Sequence, residues 1–462
     1  MNHRLHTHEP DHLGGDRARP RQRWWAVGLA GVTGLALTAV GVAAGPAADA
    51  AERALTAVDE RSDRDDGRTH GDSGKARAKQ KAKGVPVPCD TDTLIAAITS
   101  ANARGGAVLD LAKGCTYLLT ADLDGAGLPV VTTPITLNGG KNTTIERDSA
   151  ADPFRILTVD AGGDLTLNHV TITGGQTEGT DNGGGILANS GSTLAINHSA
   201  ITHNIDNNGG GVANLGKATV KHSKVSGNIA RVSAGGLRNA GRLTVDHSTI
   251  TGNTANAGIG VGFGGGIGSF AGGITVINRS SIARNHSVVA GGGIGDFNAT
   301  TAVAESTIVG NTAAATGGGV FTEGRLTLRR VDLVGNRAAS DGGGGFNIQN
   351  IRGTSVATIE DSKIANNSTS GVGGGIRNLA ATILLRNTRV AGNQADNGGG
   401  VFNNSTATLT LLSTTVVENT AITDGGGIFN IVGGTVNLNP ATGTTVIRNR
   451  PKNCVDVPGC PG

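Results

Sequence analysis

The hydrophobic and polar positions of this chain form a pattern that returns every 25 to 30 residues from about residue 160 to the C-terminus. Short runs within each repeat, such as residues 242–245 and 325–328, alternate polar and apolar side chains and predict β-strands. Each repeat also contains a glycine-rich run followed by an apolar residue. The ten runs end at Gly185, Gly211, Gly236, Gly266, Gly293, Gly319, Gly345, Gly375, Gly400 and Gly427. This period predicts one solenoid turn of three short strands and three bends.

An asparagine marks a second fixed position in the repeat, three residues after an aliphatic side chain in most repeats. These residues are Asn204, Asn228, Asn253, Asn285, Asn311, Asn336, Asn367, Asn393, Asn419 and Asn449. From each of the first nine asparagines, the last glycine of the next run lies seven to nine residues further along the chain. The exception is Asn253, which lies 13 residues before Gly266. A constant spacing inside a variable period indicates a fixed corner of the coil. We predict an interior ladder of asparagine amides there, and a surface loop at residues 257–263.

These patterns predict an all-β fold, a single-stranded right-handed parallel β-helix with three strands per coil and about twelve coils. Residues 90–102 carry an apolar stripe of Leu94, Ile95 and Ile98 behind an Asp or Thr cap, which predicts a short helix. Because an open solenoid end exposes core and unpaired strand edges, we place this helix over the N-terminal end. The predicted divisions are a cap with the first coil at 85–125, repeats at 126–449 and a closed C-terminal end at 450–462.

Composition agrees with a thin, repetitive interior, since 76 glycines accompany only two tryptophans and one tyrosine. The net charge is +3, but residues 1–84 hold 14 of the 39 Lys and Arg and 11 of the 36 Asp and Glu, so the rest of the chain is neutral. A neutral solenoid offers no electrostatic reason to bind nucleic acid or an anionic membrane.

The N-terminal 50 residues have the pattern of a secretory signal peptide. Four arginines between residues 17 and 23 precede an apolar run from Trp24 to Ala44, and Ala48-Asp49-Ala50 is an A-x-A cleavage signal. We predict cleavage after Ala50, which leaves no integral membrane domain; the alternative is an uncleaved signal anchor. Residues 51–84 are predicted to be a disordered charged linker. Both readings place the solenoid outside the cytoplasm, secreted or at the cell surface, and we expect a monomer.

The four cysteines lie only at the two ends of the predicted solenoid. Four cysteines allow three pairings, and stacked coils would hold the ends far apart. We therefore predict the local pairs Cys89–Cys115 and Cys454–Cys460 as end staples, which an exported protein can form.

The pattern of an aliphatic residue, Asn three positions later, a short gap and then Gly-Gly-Gly-Ile/Val resembles the repeats of the polymorphic outer membrane protein family. Residues 308–320 and 390–403 show it well. Residues 94–119 resemble the N-terminal cap of pectin-lyase-like β-helix proteins. The chain is most similar to a secreted actinobacterial type, because it lacks the alternating aromatic segments of a translocating barrel. The resemblance implies a surface-exposed or secreted, adhesin-like protein.

Pectin-lyase-like folds include polysaccharide lyases and glycosidases, whose sites need paired carboxylates or Ca²⁺-binding acids, and whose sugar clefts are usually lined by aromatic platforms. The sequence contains none of the clustered Asp pairs with Gly-His-Gly of that superfamily. Seven phenylalanines are available for such a platform, but most of them follow a glycine run and could instead stack in the interior. They are Phe263, Phe270, Phe297, Phe321, Phe346, Phe402 and Phe429.

Two columns of side chains are candidate metal ligands. His169, His198, His222 and His247 occupy one repeat position, and the serines that follow the last three should point inward while the histidines point outward. Such a column could capture a divalent metal, or be an exposed polar column. Asp181, Asp206, Asp396 and Asp424 precede glycine runs, where they could share Ca²⁺ or cap turns. No other cofactor is predicted.

Three functions remain open at this stage. The first is a non-catalytic, adhesin-like protein that binds a cell-wall or extracellular glycan or protein. The second is a polysaccharide lyase or glycoside hydrolase, with catalytic residues that the sequence does not identify. The third is a structural spacer at the cell surface.

Overall fold

The computed structural model describes residues 84–178, 182–256, 262–350, 353 and 355–461. The predicted signal peptide and all of the predicted linker except Gly84 therefore lie outside the described residues, as do residues 257–261 of the predicted surface loop. No helix in the described part of the chain has the length and hydropathy needed to cross a bilayer.

The described strands form four parallel sheets, numbered here in the order in which the chain visits them in each coil. Sheet 1 has 14 strands: Val85–Val87, Ala107–Leu111, Pro134–Asn138, Asp164–Asn168, Thr193–Asn197, Lys217–Lys221, Arg242–Asp246, Ile274–Asn278, Thr300–Ala304, Arg325–Arg329, Val356–Glu360, Thr382–Arg386, Thr408–Leu412 and Thr435–Asn437. Sheet 2 has 13 strands: Thr116–Leu119, Thr144–Arg147, Thr171–Thr173, Ala200–Thr202, Lys224–Ser226, Thr249–Thr251, Ser281–Ala283, Thr307–Val309, Asp332–Val334, Lys363–Ala365, Arg389–Ala391, Thr415–Val417 and Thr445–Ile447.

The remaining two sheets complete the coil. Sheet 3 has nine strands: Ile205–Asn208, Ile229–Ser233, Thr254–Ala255, His286–Ser287, Thr312–Ala313, Arg337–Ala338, Ser368–Thr369, Gln394–Asn397 and Thr420–Asp424. Sheet 4 has 12 strands: Leu157–Val159, Ile186–Ala188, Val212–Asn214, Leu237–Asn239, Ile267–Ser269, Ile294–Asp296, Val320–Thr322, Phe346–Gln349, Ile376–Leu379, Val401–Asn403, Ile428–Asn430 and Cys454–Val455. A 3₁₀ turn spans Pro440–Thr442.

The predicted right-handed parallel β-helix is confirmed. Sheets 1, 2 and 4 are the three long sides, and sheet 3 adds a shorter fourth side between sheet 2 and the glycine corner. Sheet 1 has 14 strands rather than about twelve. One of the additional strands, Val85–Val87, precedes the helix and pairs with Ala107–Leu111. Its three residues contain a proline and lie outside the glycine period, so the repeat pattern does not reveal it.

The core consists of aliphatic columns that run along the solenoid axis. In sheet 2, Ile201 pairs with Val225, and Val225 pairs with Ile250. All three side chains are completely buried. Burying a side chain of this size contributes roughly 1.5–3 kcal/mol, and the parallel register repeats this contribution in each coil. Along each strand, side chains therefore alternate between the buried face and the outer face of the sheet.

The asparagine column forms a continuous ladder inside the corner between sheets 2 and 3. Asn311 shows the pattern: its Nδ2 donates to Asn336 Oδ1 at 3.0 Å and to the Ile282 carbonyl at 2.9 Å. Its Oδ1 accepts from the backbone N–H and the Nδ2 of Asn285, at 2.9 and 3.0 Å. The same amide–amide bond joins each successive pair from Asn204 to Asn449 at 2.9–3.0 Å. The ladder therefore satisfies buried backbone groups as well as its own amides.

The glycine runs face this ladder across the narrow coil. A Cβ on Gly211 would lie 2.6 Å from the carbonyl oxygen of Gly236 in the next coil and 3.1 Å from Cγ of Asn228. No side chain fits in that space, so the last glycine of the run is required by close approach. The last glycine of each run therefore packs against the asparagine of the following coil.

The N-terminal end is covered by the predicted helix, Thr91–Ala103, which contacts strands of sheets 1 and 2. Asp90 is its N-cap, and Asp90 Oδ1 accepts from the Thr93 backbone N–H at 2.7 Å. Hydrogen bonds from Thr93 lower the pKa of Asp90. Leu94, Ile98 and Ala101 are buried against the first coils.

Both predicted disulfide pairs are present. The Cys89–Cys115 bond ties the segment before the helix to the first coil. The Cys454–Cys460 bond closes a short loop after the last strand of sheet 4. The two bonds therefore act locally, one at each end of the solenoid.

Candidate functional site

The four candidate histidines lie at the corner between sheets 1 and 2, where each coil turns through two residues. The first residue has a positive φ, between 46° and 55° at the four histidines, and its side chain is exposed. In the coils of His198, His222 and His247, the second residue of the turn is a buried Ser. The predicted alternation of inward Ser and outward His is therefore confirmed. Ser223 Oγ accepts from the Ser199 backbone N–H at 3.1 Å and donates to the Lys221 carbonyl at 2.6 Å. These hydroxyl bonds join neighbouring coils and hold the corner rigid.

The four imidazole rings form one stacked column, defined here as the histidine strip (His169, His198, His222 and His247). Neighbouring ring centroids lie 5.0, 4.9 and 4.9 Å apart, with interplanar angles of 15°, 5° and 22°. This separation is the distance between adjacent parallel strands. The backbone therefore determines the spacing of the rings.

The histidine strip lines an open surface depression of about 560 Å³. Lys141 and Asn142 lie at its N-terminal end, and Lys224 lies on the sheet 2 side together with Thr171 and Thr249. Lys221, one residue before His222 at the edge of sheet 1, is also exposed. The depression is thus polar, and the cations near it are Lys141, in the coil before His169, and Lys221 and Lys224, in the coil of His222.

A carboxylate limits this positive stretch at its C-terminal end. Asp246 Oδ1 lies 3.2 Å from His247 Nδ1 and 3.6 Å from Arg279 Nε. Beyond it, the same corner position is occupied in succession by Arg279, Glu305 and Arg330, and Arg330 forms an ion pair with Glu305. The column therefore changes from four imidazoles to alternating charges at this point.

The orientation of the rings does not suit a shared metal ion. An imidazole binds a metal through an in-plane lone pair. Because neighbouring rings are nearly parallel, their lone pairs run side by side instead of converging. Across the residues that the structure describes, no three His, Cys, Asp or Glu side chains are grouped so that they could hold a metal ion.

The two N-terminal aspartates proposed for Ca²⁺ are not brought together by described contacts. Asp181 lies outside the described residues. Asp206 is completely buried, and the backbone N–H of Asn207 donates to its Oδ1. Burial raises the pKa of Asp206 to about 6, so this carboxyl belongs to the interior of the coil.

The two C-terminal aspartates have separate local partners. Asp396 accepts from the Thr423 hydroxyl at 2.7 Å. Asp424 accepts from Lys452 Nζ and from the Gly425 backbone N–H, both at 2.8 Å. The hydrogen bond from Lys452 lowers the pKa of Asp424. In the sheet 3 register, Asp424 lies opposite Asn397 rather than Asp396.

Comparison of the chain with protein-family models, with curated proteins and with solved structures gives no match. The chain is a parallel β-solenoid. Its sheets and strand registers show this fold, and the surface of the solenoid is the basis for proposing a function.

The phenylalanines correct the sequence prediction. Phe346 is the first residue of its sheet 4 strand and is part of the interior core. Phe321 and Phe402 are second residues of theirs and point away from that core, where Phe402 stacks on Phe429 at 5.7 Å. Period-two alternation cannot decide which face of a three-residue strand turns inward unless the preceding bend is known. The prediction of an interior stack was therefore wrong for these residues.

A small apolar cluster covers the outside of sheet 4. Phe263 and Phe297 have ring centroids 4.0 Å apart, and Phe297 and Phe321 have centroids 5.3 Å apart. Phe270 lies beside Phe297 at 5.8 Å, and the Arg238 guanidinium lies 4.8 Å from the Phe270 ring centroid. Because the rings pack on one another and Phe321 is almost completely buried, the cluster stabilises this face rather than presenting a flat platform for a sugar.

Sequence reasoning also missed Asp296, a completely buried carboxyl at the end of a sheet 4 strand. Its Oδ2 accepts from the Thr301 hydroxyl at 2.7 Å, and its Oδ1 accepts from the Ala299 backbone N–H at 3.0 Å. Burial raises the pKa of Asp296 to about 7. Nothing in the sequence distinguishes this aspartate from the ones in surface turns, because its burial depends on the register of sheet 4.

Proposed function

We propose that this protein is a non-catalytic, adhesin-like solenoid that acts outside the cytoplasm, secreted or at the cell surface. It binds an extracellular or cell-wall polymer along the corner between sheets 1 and 2. The signal-like N-terminal sequence supports the location, and the resemblance to polymorphic outer membrane protein repeats and to pectin-lyase-like β-helices supports the class.

The observation that carries the proposal is the open depression along the histidine strip. It extends over four successive coils and offers one imidazole at each coil. A repeated, shallow surface of this kind suits a long, repetitive ligand, in keeping with the use of extended solenoid faces for binding.

The described carboxyls do not favour a lyase or hydrolase. Catalysis at a glycosidic bond needs two accessible carboxyl groups on either side of the bond. Asp206 and Asp296 have raised pKa values, which often mark catalytic acids, but both side chains are completely buried inside the coil. Their pKa values follow from burial in the interior rather than from a cleft.

A paired assay tests this proposal. The purified full chain is incubated with a panel of neutral and charged extracellular polysaccharides, with and without Ca²⁺. Co-sedimentation measures binding, and the release of reducing ends or of unsaturated uronic acids measures cleavage. We expect retention of the protein by at least one polymer and no released product. Release of product would overturn the non-catalytic assignment, and retention by none of the polymers would overturn the assignment of a polymer-binding function.

A further inference from the structure

We propose that the histidine strip is a proton-dependent binding site for a linear polymer that carries phosphate or sulfate groups. This inference rests on the proposed function and specifies its ligand: the oxyanions of the polymer contact the imidazoles and the neighbouring lysines, and binding strengthens as the pH falls.

The spacing of the rings is the first argument. Four identical exposed donors at intervals of 4.9–5.0 Å form a straight row, and hydrogen bonds between coils fix each interval. A phosphate or sulfate group between two neighbouring imidazolium rings can accept an N–H bond from each through different oxygen atoms when the two rings turn the same edge towards it. Charge-assisted bonds of this kind are roughly twice as strong as neutral ones.

The charges around the strip are the second argument. Sheet 2 and the preceding loop line the depression with Thr171, Ala200, Lys224, Thr249, Lys141 and Asn142. On sheet 1, the residues directly before the four histidines are Asn168, Asn197, Lys221 and Asp246. Three of these ten residues, Lys141, Lys221 and Lys224, are cations. The one anion among them, Asp246, lies between His247 and Arg279. The first three histidines therefore have cationic neighbours and no facing carboxylate.

Proton uptake couples directly to anion binding in this geometry. Imidazole gains a charge between about pH 8 and about pH 5. Two charged rings held about 5 Å apart repel one another. An oxyanion between two rings removes this repulsion and favours protonation of both. This coupling is reciprocal. The factor by which the bound anion increases proton affinity is also the factor by which bound protons increase anion affinity.

The row of rings favours an anion over a divalent metal ion. Parallel in-plane lone pairs do not converge, as described above, and a cation would also be repelled by Lys141, Lys221 and Lys224. The same nitrogen atoms, once protonated, become parallel N–H donors. For these donors, parallel alignment is an advantage, because a polymer with one anion per repeat meets them in sequence.

The test measures binding of the full chain to inorganic polyphosphate and to dextran sulfate by titration calorimetry, with uncharged dextran as the reference. Each polymer is titrated at about pH 8 and about pH 5.5, in two buffers of different ionisation enthalpy. We expect the Kd for the polyanions to fall at least about tenfold at the lower pH, with net proton uptake on binding. Binding of polyphosphate alone would identify phosphate as the ligand group, and binding of dextran sulfate alone would identify sulfate.

The decisive variant is the double substitution His198→Asn and His222→Asn. Asn tolerates the positive φ of both positions, and the equivalent position in a later coil is already Asn387. We expect this variant to lose the pH dependence and the proton uptake. The matched control is His203→Asn, an exposed histidine with a φ of 54° at the neighbouring corner, which should behave as the unmodified chain. The double substitution His198→Lys and His222→Lys should bind at both pH values.

Two results would overturn this inference alone. One is a pH dependence that persists unchanged in the double Asn variant while the protein remains folded by circular dichroism. The other is retention of the chain by neutral polymers only. The second result would leave the proposed polymer-binding function intact, whereas failure to bind any polymer would contradict both.

Discussion

Two columns of polar side chains run through the interior of this solenoid, and they differ in continuity. The corner between sheets 2 and 3 holds an unbroken ladder of ten asparagines. The last inward position of sheet 4 is Val159 and Ala188 in the first two strands, then Asn214 and Asn239, and it returns to asparagine at Asn378 only after Ser269, Asp296, Thr322 and Ile348. In the unbroken column each amide bonds both neighbours. In the interrupted column, each group relies more on partners in or next to its own coil, such as Thr301 for Asp296.

This difference shows what makes a repeated position intolerant of change. A residue that donates to one neighbour and accepts from the other cannot be replaced without leaving buried partners unpaired in two coils. A residue with local partners can be replaced if those partners change with it. The unbroken ladder should therefore be the more sensitive of the two columns.

The largest effect is expected from Asn311→Ala in the unbroken ladder. The substitution leaves donors of Asn285 and acceptors of Ile282 and Asn336 unpaired in a buried corner. We expect a loss of roughly 4 kcal/mol in the free energy of unfolding, measured by urea denaturation. Asn378→Ala is the matched control from the interrupted column, because Asn378 has an amide neighbour only on its C-terminal side, Asn403. It should cost about half as much, and equal losses would contradict the comparison.

The glycine opposite the ladder should be the next most sensitive position. A Cβ on Gly319 would lie 2.7 Å from the Gly345 carbonyl oxygen and 3.0 Å from Cγ of Asn336. Gly319→Ala should therefore displace the ladder, at a cost of about 3 kcal/mol in unfolding free energy. Gly353→Ala tests the specificity of this effect. Unlike Gly319, that glycine has a positive φ, but a Cβ there meets no atom within 4 Å, so the loss should be limited to about 1 kcal/mol of backbone strain.

The interrupted column should show a pH dependence that the unbroken ladder lacks. Because the pKa of Asp296 is raised to about 7, the folded chain binds more protons than the unfolded chain between about pH 4 and about pH 7. The contribution of Asp296 to stability is therefore greatest below this interval and is lost as the pH rises through it. Asp296→Asn should stabilise the protein by about 2 kcal/mol at about pH 8. This is less than the difference between the folded and unfolded pKa values of Asp296 would allow, because water penetrates towards a buried charge.

Thermal unfolding at about pH 8 and about pH 4 measures this difference. At the lower pH, the variant and the unmodified chain should unfold at nearly the same temperature. Asp332→Asn, at an exposed position in sheet 2, serves as the control and should leave the effect of pH unchanged. Equal stabilisation by Asp296→Asn at both pH values would show that the buried charge is not the cause.

The smallest effect on stability is expected at the histidine strip. The four rings are exposed, and the corner is held by the serine hydroxyls behind them. The double Asn variant of His198 and His222 should change the unfolding free energy by less than about 0.5 kcal/mol. A loss of several kcal/mol in the same denaturation experiment would instead mean that the stacked rings hold the corner together.

The sequence was sufficient to predict features that depend on a repeated marker. The Asn311 type of position recurs at a fixed distance from a glycine run, so the corner, the ladder and the axis of stacking followed from the spacing. The pairings Cys89–Cys115 and Cys454–Cys460 followed from the distance between the two ends. Features that depend on which way a short strand faces could not be predicted, because a bend can change the face without changing the period. Phe321, outside the core, and Asp296, inside it, are of this kind.

The positive φ at the histidine corner has one further consequence. Because the backbone fixes the separation of the four corner positions, the strip presents its imidazoles at regular divisions of 4.9–5.0 Å. A polymer whose charges repeat at this interval, or at twice it, keeps its charges opposite the rings along the whole strip. Its affinity should increase with chain length until it contacts all four rings. A polymer with another charge spacing loses the match with the rings after one or two contacts. Selectivity between polyanions of equal charge would then come from commensurate length rather than from the chemistry of a single contact.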